Sequence, residues 1–307
     1  MAGLVVIELA WWATERRIGA APAPLLATYL FLAFGGLAVA VALRLALRLT
    51  HSDAPWPAVV AGAFLVAIGA SAFLPLKYAI PSEVPFWLDH PLAAMDRAIF
   101  GGDSWLLFDR LLGWAARPMD WLYGCWLPTQ LLVMFLVMLS RPSPMKSRSL
   151  IAYGLAWFLL GAVAAVLLSS AGPLFYDRVF GGDTFARLTE TLQNRGAWLA
   201  LAESNRMWIS MTSHEPGLAA GISAMPSIHV AISLWIFLTA RTMAPRGSSA
   251  AFIYFVLIWI GSVQLGWHYA SDGLVGALGM LGLWGLAQML ERALKSRQIA
   301  RGSALAV

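Results

Sequence analysis

Two of the five histidines stand where an imidazole could do chemistry. His229 closes the run Ala224-Met225-Pro226-Ser227-Ile228-His229, and His268 lies in Gly266-Trp267-His268-Tyr269-Ala270-Ser271-Asp272. Proline suits the first turn of a helix, because it has no amide hydrogen to satisfy there. A helix starting near Pro226 would leave the amides of Ser227, Ile228 and His229 free. Such an end attracts anions, phosphate above all, through the amides and the helix dipole. Ser227 would add a hydroxyl donor. In the second run, helical spacing would set His268 and Asp272 one turn apart on one face. The carboxylate could then hold one ring nitrogen as a donor and leave the other as a stronger base or nucleophile. A charged aspartate at a membrane boundary is costly unless it is paired or functional.

The elements that must position these groups are membrane helices. The chain of 307 residues is 60% hydrophobic and only 12% charged, far below the charge content of soluble domains. A spanning helix needs roughly 20 mostly apolar residues. Seven stretches fit: Pro24–Leu43, Trp56–Leu76, Trp121–Leu139, Ile151–Ala171, Pro226–Met243, Ala250–His268 and Asp272–Leu290. The fifth is the shortest. Leu4–Ala13 is apolar but too short to span, and reads as interfacial. With one cysteine, Cys125, neither an intrachain disulfide nor a cysteine-based metal site is expected. The formal charge of +5 reflects loop orientation and is not read as nucleic-acid binding.

Four segments between or after these stretches share eleven basic and two acidic residues: Arg44 to Pro55, Ser140 to Leu150, Arg241 to Ser249, and the tail after Leu290. They are expected on the cytoplasmic side. The fifth and sixth stretches then form a hairpin that returns His268, 39 residues after His229, to the opposite side with it. Arg16 and Arg17 fit this orientation poorly and leave the N-terminal topology open. The two long outer segments, Lys77 to Pro118 and Gly172 to Met225, carry short helical patterns at Phe108–Leu112 and Phe185–Leu188. Each also contains Gly-Gly-Asp, read as a turn followed by an aspartate helix cap. The expected layout is a segment 1–55 with the first span, a six-helix catalytic domain 56–292 and a basic tail 293–307.

Pro226-Ser227-Ile228-His229 and His268-Tyr269-Ala270-Ser271-Asp272, followed by Gly276, together resemble the type 2 phosphatidic acid phosphatase superfamily. The similarity is greatest to its inositol phosphorylceramide synthase-like branch, where His-Tyr precedes the aspartate. The resemblance is specific over Gly221–Gly279. It implies an all-α polytopic membrane protein with a six-helix core plus an N-terminal helix. It also implies a metal-independent enzyme with no cofactor, acting on a lipid phosphate ester through a phosphohistidine. By motif match His268 is the nucleophile, Asp272 orients it and His229 is the general acid. The phosphoryl acceptor would be water, a second lipid or a polyol; the branch leans towards head-group transfer.

Two arginines usual in the superfamily are missing. Lys77 is followed at the first signature's spacing by Val84-Pro85, without its arginine, and one span too early. Ser262 stands where an arginine usually precedes the nucleophilic histidine. Arg178, after the fourth span, is the replacement expected to grip phosphate, ahead of Arg187, Arg195 and Arg206. Ser227, Arg178 and Tyr269 are thus the expected substrate-binding residues. Lys77 reads as a snorkelling residue that ends the second span, Asp89 and His90 as a solvated pair, and His214-Glu215 as part of a turn before Pro216-Gly217. A lipid-phosphate transporter using the same pocket stays open, although no internal repeat is visible. A Ser227–His268 hydrolase fits poorly with Pro226. The reading places the protein in a bacterial inner membrane, with its site on the extracytoplasmic face.

Overall fold

A computed structural model describes residues 22–46, 56–213 and 221–304, and every regular element among them is helical. The apolar stretches become α1 (Pro22–Ala46), α2 (Trp56–Glu83), α6 (Trp126–Met138), α7 (Pro144–Leu167), α11 (Ile228–Met243), α12 (Ser248–Gln264) and α13 (Ala270–Ala304). The outer segments fold into shorter helices. These are α3 (Asp89–Phe100), α4 (Ser104–Leu112), α5 (Ala116–Gly124), α8 (Pro173–Phe180), α9 (Ala186–Arg195) and α10 (Trp198–Ser213). The readings on Leu4–Ala13, Arg16, Arg17 and His214–Gly217 lie outside the described residues.

Among the described residues, four helices are long and apolar enough to cross a membrane: Leu26–Ala46, Pro144–Leu167, Pro245–Gln264 and Ala270–Ser296. The run Ser104–Gly124 and α6 would make a fifth, but they bend by 46° at Cys125. The expected third span is therefore broken near its start, where the apolar pattern runs on without interruption. The apolar part of α2, Trp56–Ser71, and α11 are shorter than a full span.

The short α11 is the middle of the bundle. It packs against α6, α7, α12 and α13. Buried residues run around its whole circumference, from Val230 through Trp235 to Thr239. A helix apolar on all faces belongs in a core. Two of its buried polar side chains are satisfied by α7. The Trp235 indole donates to the Ser149 carbonyl at 2.8 Å, and Ser149 and Thr239 share a hydrogen bond of 2.7 Å. In α7, residues Ala156–Ala164 wind as a π-helix, a widening that single-sequence periodicity does not reveal.

The Gly-Gly-Asp turns form, but their aspartates do not cap by side chain. Gly101 takes a left-handed φ of 68° and ends α3. Asp103 precedes α4 without a side-chain cap bond and takes the Arg97 guanidinium at 2.6 Å instead. Asp183 supplies only its carbonyl, to Ala186.

One close approach fixes the two motif segments against each other. A Cβ on Gly276, in α13, would lie 2.4 Å from the Ser227 carbonyl oxygen at the start of α11. Only a bare backbone fits. Gly276→Ala is expected to lower stability by about 1–3 kcal/mol through overpacking. Gly282→Ala, on the same helix with nothing within 4 Å of its would-be Cβ, should leave it unchanged. Thermal unfolding of the two variants in detergent checks this pair.

Candidate active site

The hairpin of α11 and α12 brings the two histidines to one end of the bundle. Their ring centroids lie 6.0 Å apart, inclined at 60°. Asp272, fully buried, faces His268: its Oδ2 lies 3.3 Å from Nδ1. The same oxygen accepts the Tyr269 amide at 3.0 Å. Asp272 thus closes the first turn of α13 in the manner of a reciprocal cap, while its other bond turns the imidazole so that Nε2 is free. His268 lies in the turn just before α13 rather than on the helix. The four-residue offset still brings ring and carboxylate together, because the cap folds that turn back. The His268 amide donates to the Ser262 carbonyl at 3.1 Å, so the position where an arginine would be usual serves as a backbone anchor.

The start of α11 differs from expectation by two residues. Pro226 lies ahead of the helix, joined to Met225 by a cis peptide bond. Ser227 is the N-cap, its hydroxyl accepting the Val230 amide at 3.4 Å. The Ser227 amide donates to the Asp272 carbonyl at 3.0 Å. Ser227 is thus buried and occupied on both counts. Of the three amides expected to face an anion, those of Ile228 and His229 remain ahead of the first helical acceptor.

His229 is held by aromatic rings that the sequence reading did not single out. It stacks on Tyr123 at 4.7 Å and 18°, and lies 4.1 Å from Trp126. The Trp126 indole donates to the His229 carbonyl at 3.1 Å. Tyr123 in turn lies parallel to Trp267, next to His268 in the chain. The bend at Cys125 lets Tyr123 from α5 and Trp126 from α6 reach the same ring. The only sequence signal for this was an aromatic pair three residues apart, which reads equally well as an interfacial belt.

Lys77 was read as the end of a span. The helix instead continues to Glu83, and Lys77 is half-buried within electrostatic reach of His229. Gly221, with φ 104°, packs directly over it; a Cβ there would lie 3.0 Å from the Lys77 backbone and 3.1 Å from its side chain. The helix therefore does not end at Lys77. Arg178 is engaged elsewhere: its guanidinium donates to Asn205 and lies 5.8 Å from the Trp208 ring, and burial lowers its pKa. Arg195 pairs with Asp109 at 3.0 Å and Arg206 with Glu203 at 2.6 Å.

Tyr269, read as a possible substrate contact, is only 1% exposed and donates its hydroxyl to Asp89 at 3.0 Å. Asp89 is not part of a solvated pair. It is fully buried, and its carboxylate also accepts the amides of Ala171 and Gly172, at 2.7 and 2.8 Å. Burial pushes its pKa up, and these hydrogen bonds pull it back. His90 is exposed and turns the other way, its Nδ1 meeting the Tyr176 hydroxyl at 2.5 Å.

The cap at Ser227 is open to direct test. Ser227→Ala removes the only side-chain acceptor at the start of α11 and should cost about 1 kcal/mol, read as a lowered midpoint of thermal unfolding in detergent. An unchanged midpoint would mean that Ser227 does not hold this helix start.

Two local motifs, one histidine pair and a carboxylate thus meet at one bundle end, and the wider chain was compared with known proteins. No curated protein matches it, and no solved structure does. A family model described as PAP2 superfamily matches residues 90–286, which is most of the chain and includes His229, His268 and Asp272. The chain therefore belongs to the PAP2 superfamily, the type 2 phosphatidic acid phosphatases and their relatives.

Proposed function

We propose that the protein is a membrane lipid phosphotransferase or phosphatase working through a phosphohistidine on His268. Membership of the superfamily supports phosphatase or phosphotransferase chemistry. The observation that carries the assignment of roles is the 6.0 Å spacing of two imidazoles, of which only His268 is bonded to a carboxylate.

Nε2 of His268 attacks phosphorus, and the bond from phosphorus to the leaving oxygen breaks. His229 delivers a proton to that oxygen. Asp272 accepts the Nδ1 hydrogen and stabilises the ring as it gains positive charge. In the second step His229 takes a proton from the acceptor hydroxyl, whose oxygen displaces His268 from phosphorus. Water as acceptor gives hydrolysis. An alcohol on a second lipid or polyol gives transfer.

Lys77 is the cation proposed to meet the phosphate, together with the Ile228 and His229 amides. It takes the place earlier given to Arg178, which is held by Asn205 and Trp208. A single lysine among apolar aromatics suits a phosphodiester better than a dianionic monoester. That supports head-group transfer, as in the inositol phosphorylceramide synthase-like branch. Seven spans, a site on the extracytoplasmic face of a bacterial inner membrane, and a lipid tail seated between helices complete the proposed picture. The apolar helices and the excess of basic residues in the opposite loops support it.

Purified protein should release or transfer labelled phosphate from a lipid ester without added metal, and should yield an acid-labile phosphoprotein on rapid quenching. His268→Ala should lose both. His229→Ala should slow turnover by about 10²–10⁴-fold, the range for a lost general acid. Lys77→Gln should raise KM for the same lipid more than it lowers kcat. Full turnover in His268→Ala would overturn the mechanism.

A further inference from the structure

The turn Ser169–Gly172 touches both halves of the site. Its Ser170 carbonyl accepts the Ala224 amide at 2.8 Å, and the Ser170 hydroxyl accepts the Met225 amide at 3.0 Å. These residues lead directly into Ser227 and His229. On its other side, Gly172 lies so close to Trp267 that a Cβ would come within 2.5 Å of the Trp267 carbonyl oxygen. The Leu174 amide then donates to the Gly266 carbonyl at 2.9 Å. These residues lead directly into His268. One short turn thereby contacts both segments that carry the imidazoles.

That turn has no regular structure of its own, and one side chain binds two of its amides. Asp89 accepts two successive amides from it, those of Ala171 and Gly172, with the same carboxylate that accepts the Tyr269 hydroxyl. Tyr269 follows His268 in the chain, and its amide is bonded to Asp272. Asp89 therefore grips the His268 segment from both sides: through Gly172 ahead of it and through Tyr269 behind it. Seven residues further along α3, on the same face, Asp96 accepts the Ala270 amide at 3.2 Å and the Ser104 hydroxyl. Asp89 lies one residue before the region matched to the superfamily.

We propose that Asp89 is a positioning residue for phosphoryl transfer: by tying the Ser169–Gly172 turn to Tyr269 it holds His268 and His229 at the spacing at which both can act on one phosphorus. This rests on the phosphotransferase reading above. Asp89 itself touches neither imidazole. It acts through the backbone, and loss of its bonds loosens the spacing rather than removing a reacting group. Displacing a catalytic group by about 1 Å can cost on the order of 10²-fold, and removing an orienting partner commonly costs 10–100-fold.

The test compares full-length wild type, Asp89→Asn, Tyr269→Phe and the double variant in detergent. Orthovanadate serves as the mimic of phosphorus in flight, and labelled phosphatidylglycerol, a lipid phosphodiester, as the substrate probe. Asp89→Asn and Tyr269→Phe should each weaken vanadate binding by about 10- to 100-fold. Turnover should fall by a similar factor, with KM for phosphatidylglycerol within about twofold of wild type. The double variant should be no worse than Asp89→Asn alone, since both lesions break one linkage. Asp109→Asn, which breaks a surface pair with Arg195, should match wild type. Vanadate affinity unchanged in folded Asp89→Asn, or effects that simply add, would overturn the positioning role while leaving the phosphotransferase reading intact. Wild type that neither binds vanadate nor turns over would overturn both. Should Asp89→Asn fail to fold, Tyr269→Phe removes one hydroxyl and carries the same expectation alone.

Discussion

Helix starts leave amides without partners, and a bundle buried in an apolar setting cannot hand them to water. This protein answers with carboxylates. Asp89 takes the two amides just ahead of α8, Asp96 takes the first amide of α13, Asp120 takes the Leu199 and Ala200 amides in the first turn of α10, and Asp272 takes the Tyr269 amide. All four aspartates are buried. Each is compensated by the partial positive charge of the backbone end it faces. Burial pushes the carboxyl groups of Asp89 and Asp96 upward, and their hydrogen bonds oppose it. The catalytic candidates grow out of the same arrangement: Asp272 is a helix-start carboxylate that also reaches an imidazole.

This arrangement explains how irregular backbone survives next to the chemistry. His268 lies in a turn between two helices, and His229 follows a non-helical stretch through Pro226. Each segment is tied down both by local bonds and by amide and carbonyl bonds beyond its own turn. The Ser227 amide goes to the Asp272 carbonyl, and the His268 amide to the Ser262 carbonyl. The bare backbone of Gly276 then lets α13 touch the start of α11. Such mutual bonding holds reacting groups in place without a ligand, which is the condition for preorganised catalysis.

The parts of the site legible in the sequence were the parts made by local spacing. His268 and Asp272 are four residues apart, and the hairpin of α11 and α12 follows from two apolar runs and a basic turn. Asp89 was illegible for the opposite reason. Its partners lie 82, 83 and 180 residues away, so nothing nearby distinguished it from a solvated aspartate beside His90. Lys77 was misread because hydropathy falls at Leu76 while the helix continues. Seven apolar stretches became helices, but hydropathy alone could not show the bend at Cys125. That bend brings Tyr123 and Trp126 to a common partner in His229.

The role given to His229 gains from that bend. A general acid must present one nitrogen in a fixed direction, and an imidazole at the end of a helix would otherwise rotate freely. Stacking on Tyr123, contact with Trp126 and the indole bond to its own carbonyl restrict the ring from one side. The other side faces His268. The two imidazoles are thus oriented by different physics, His268 by a charge-bearing hydrogen bond and His229 by aromatic packing. Only the first gives its ring a carboxylate partner. In the proposed mechanism that asymmetry assigns nucleophile and acid within a pair of chemically identical side chains.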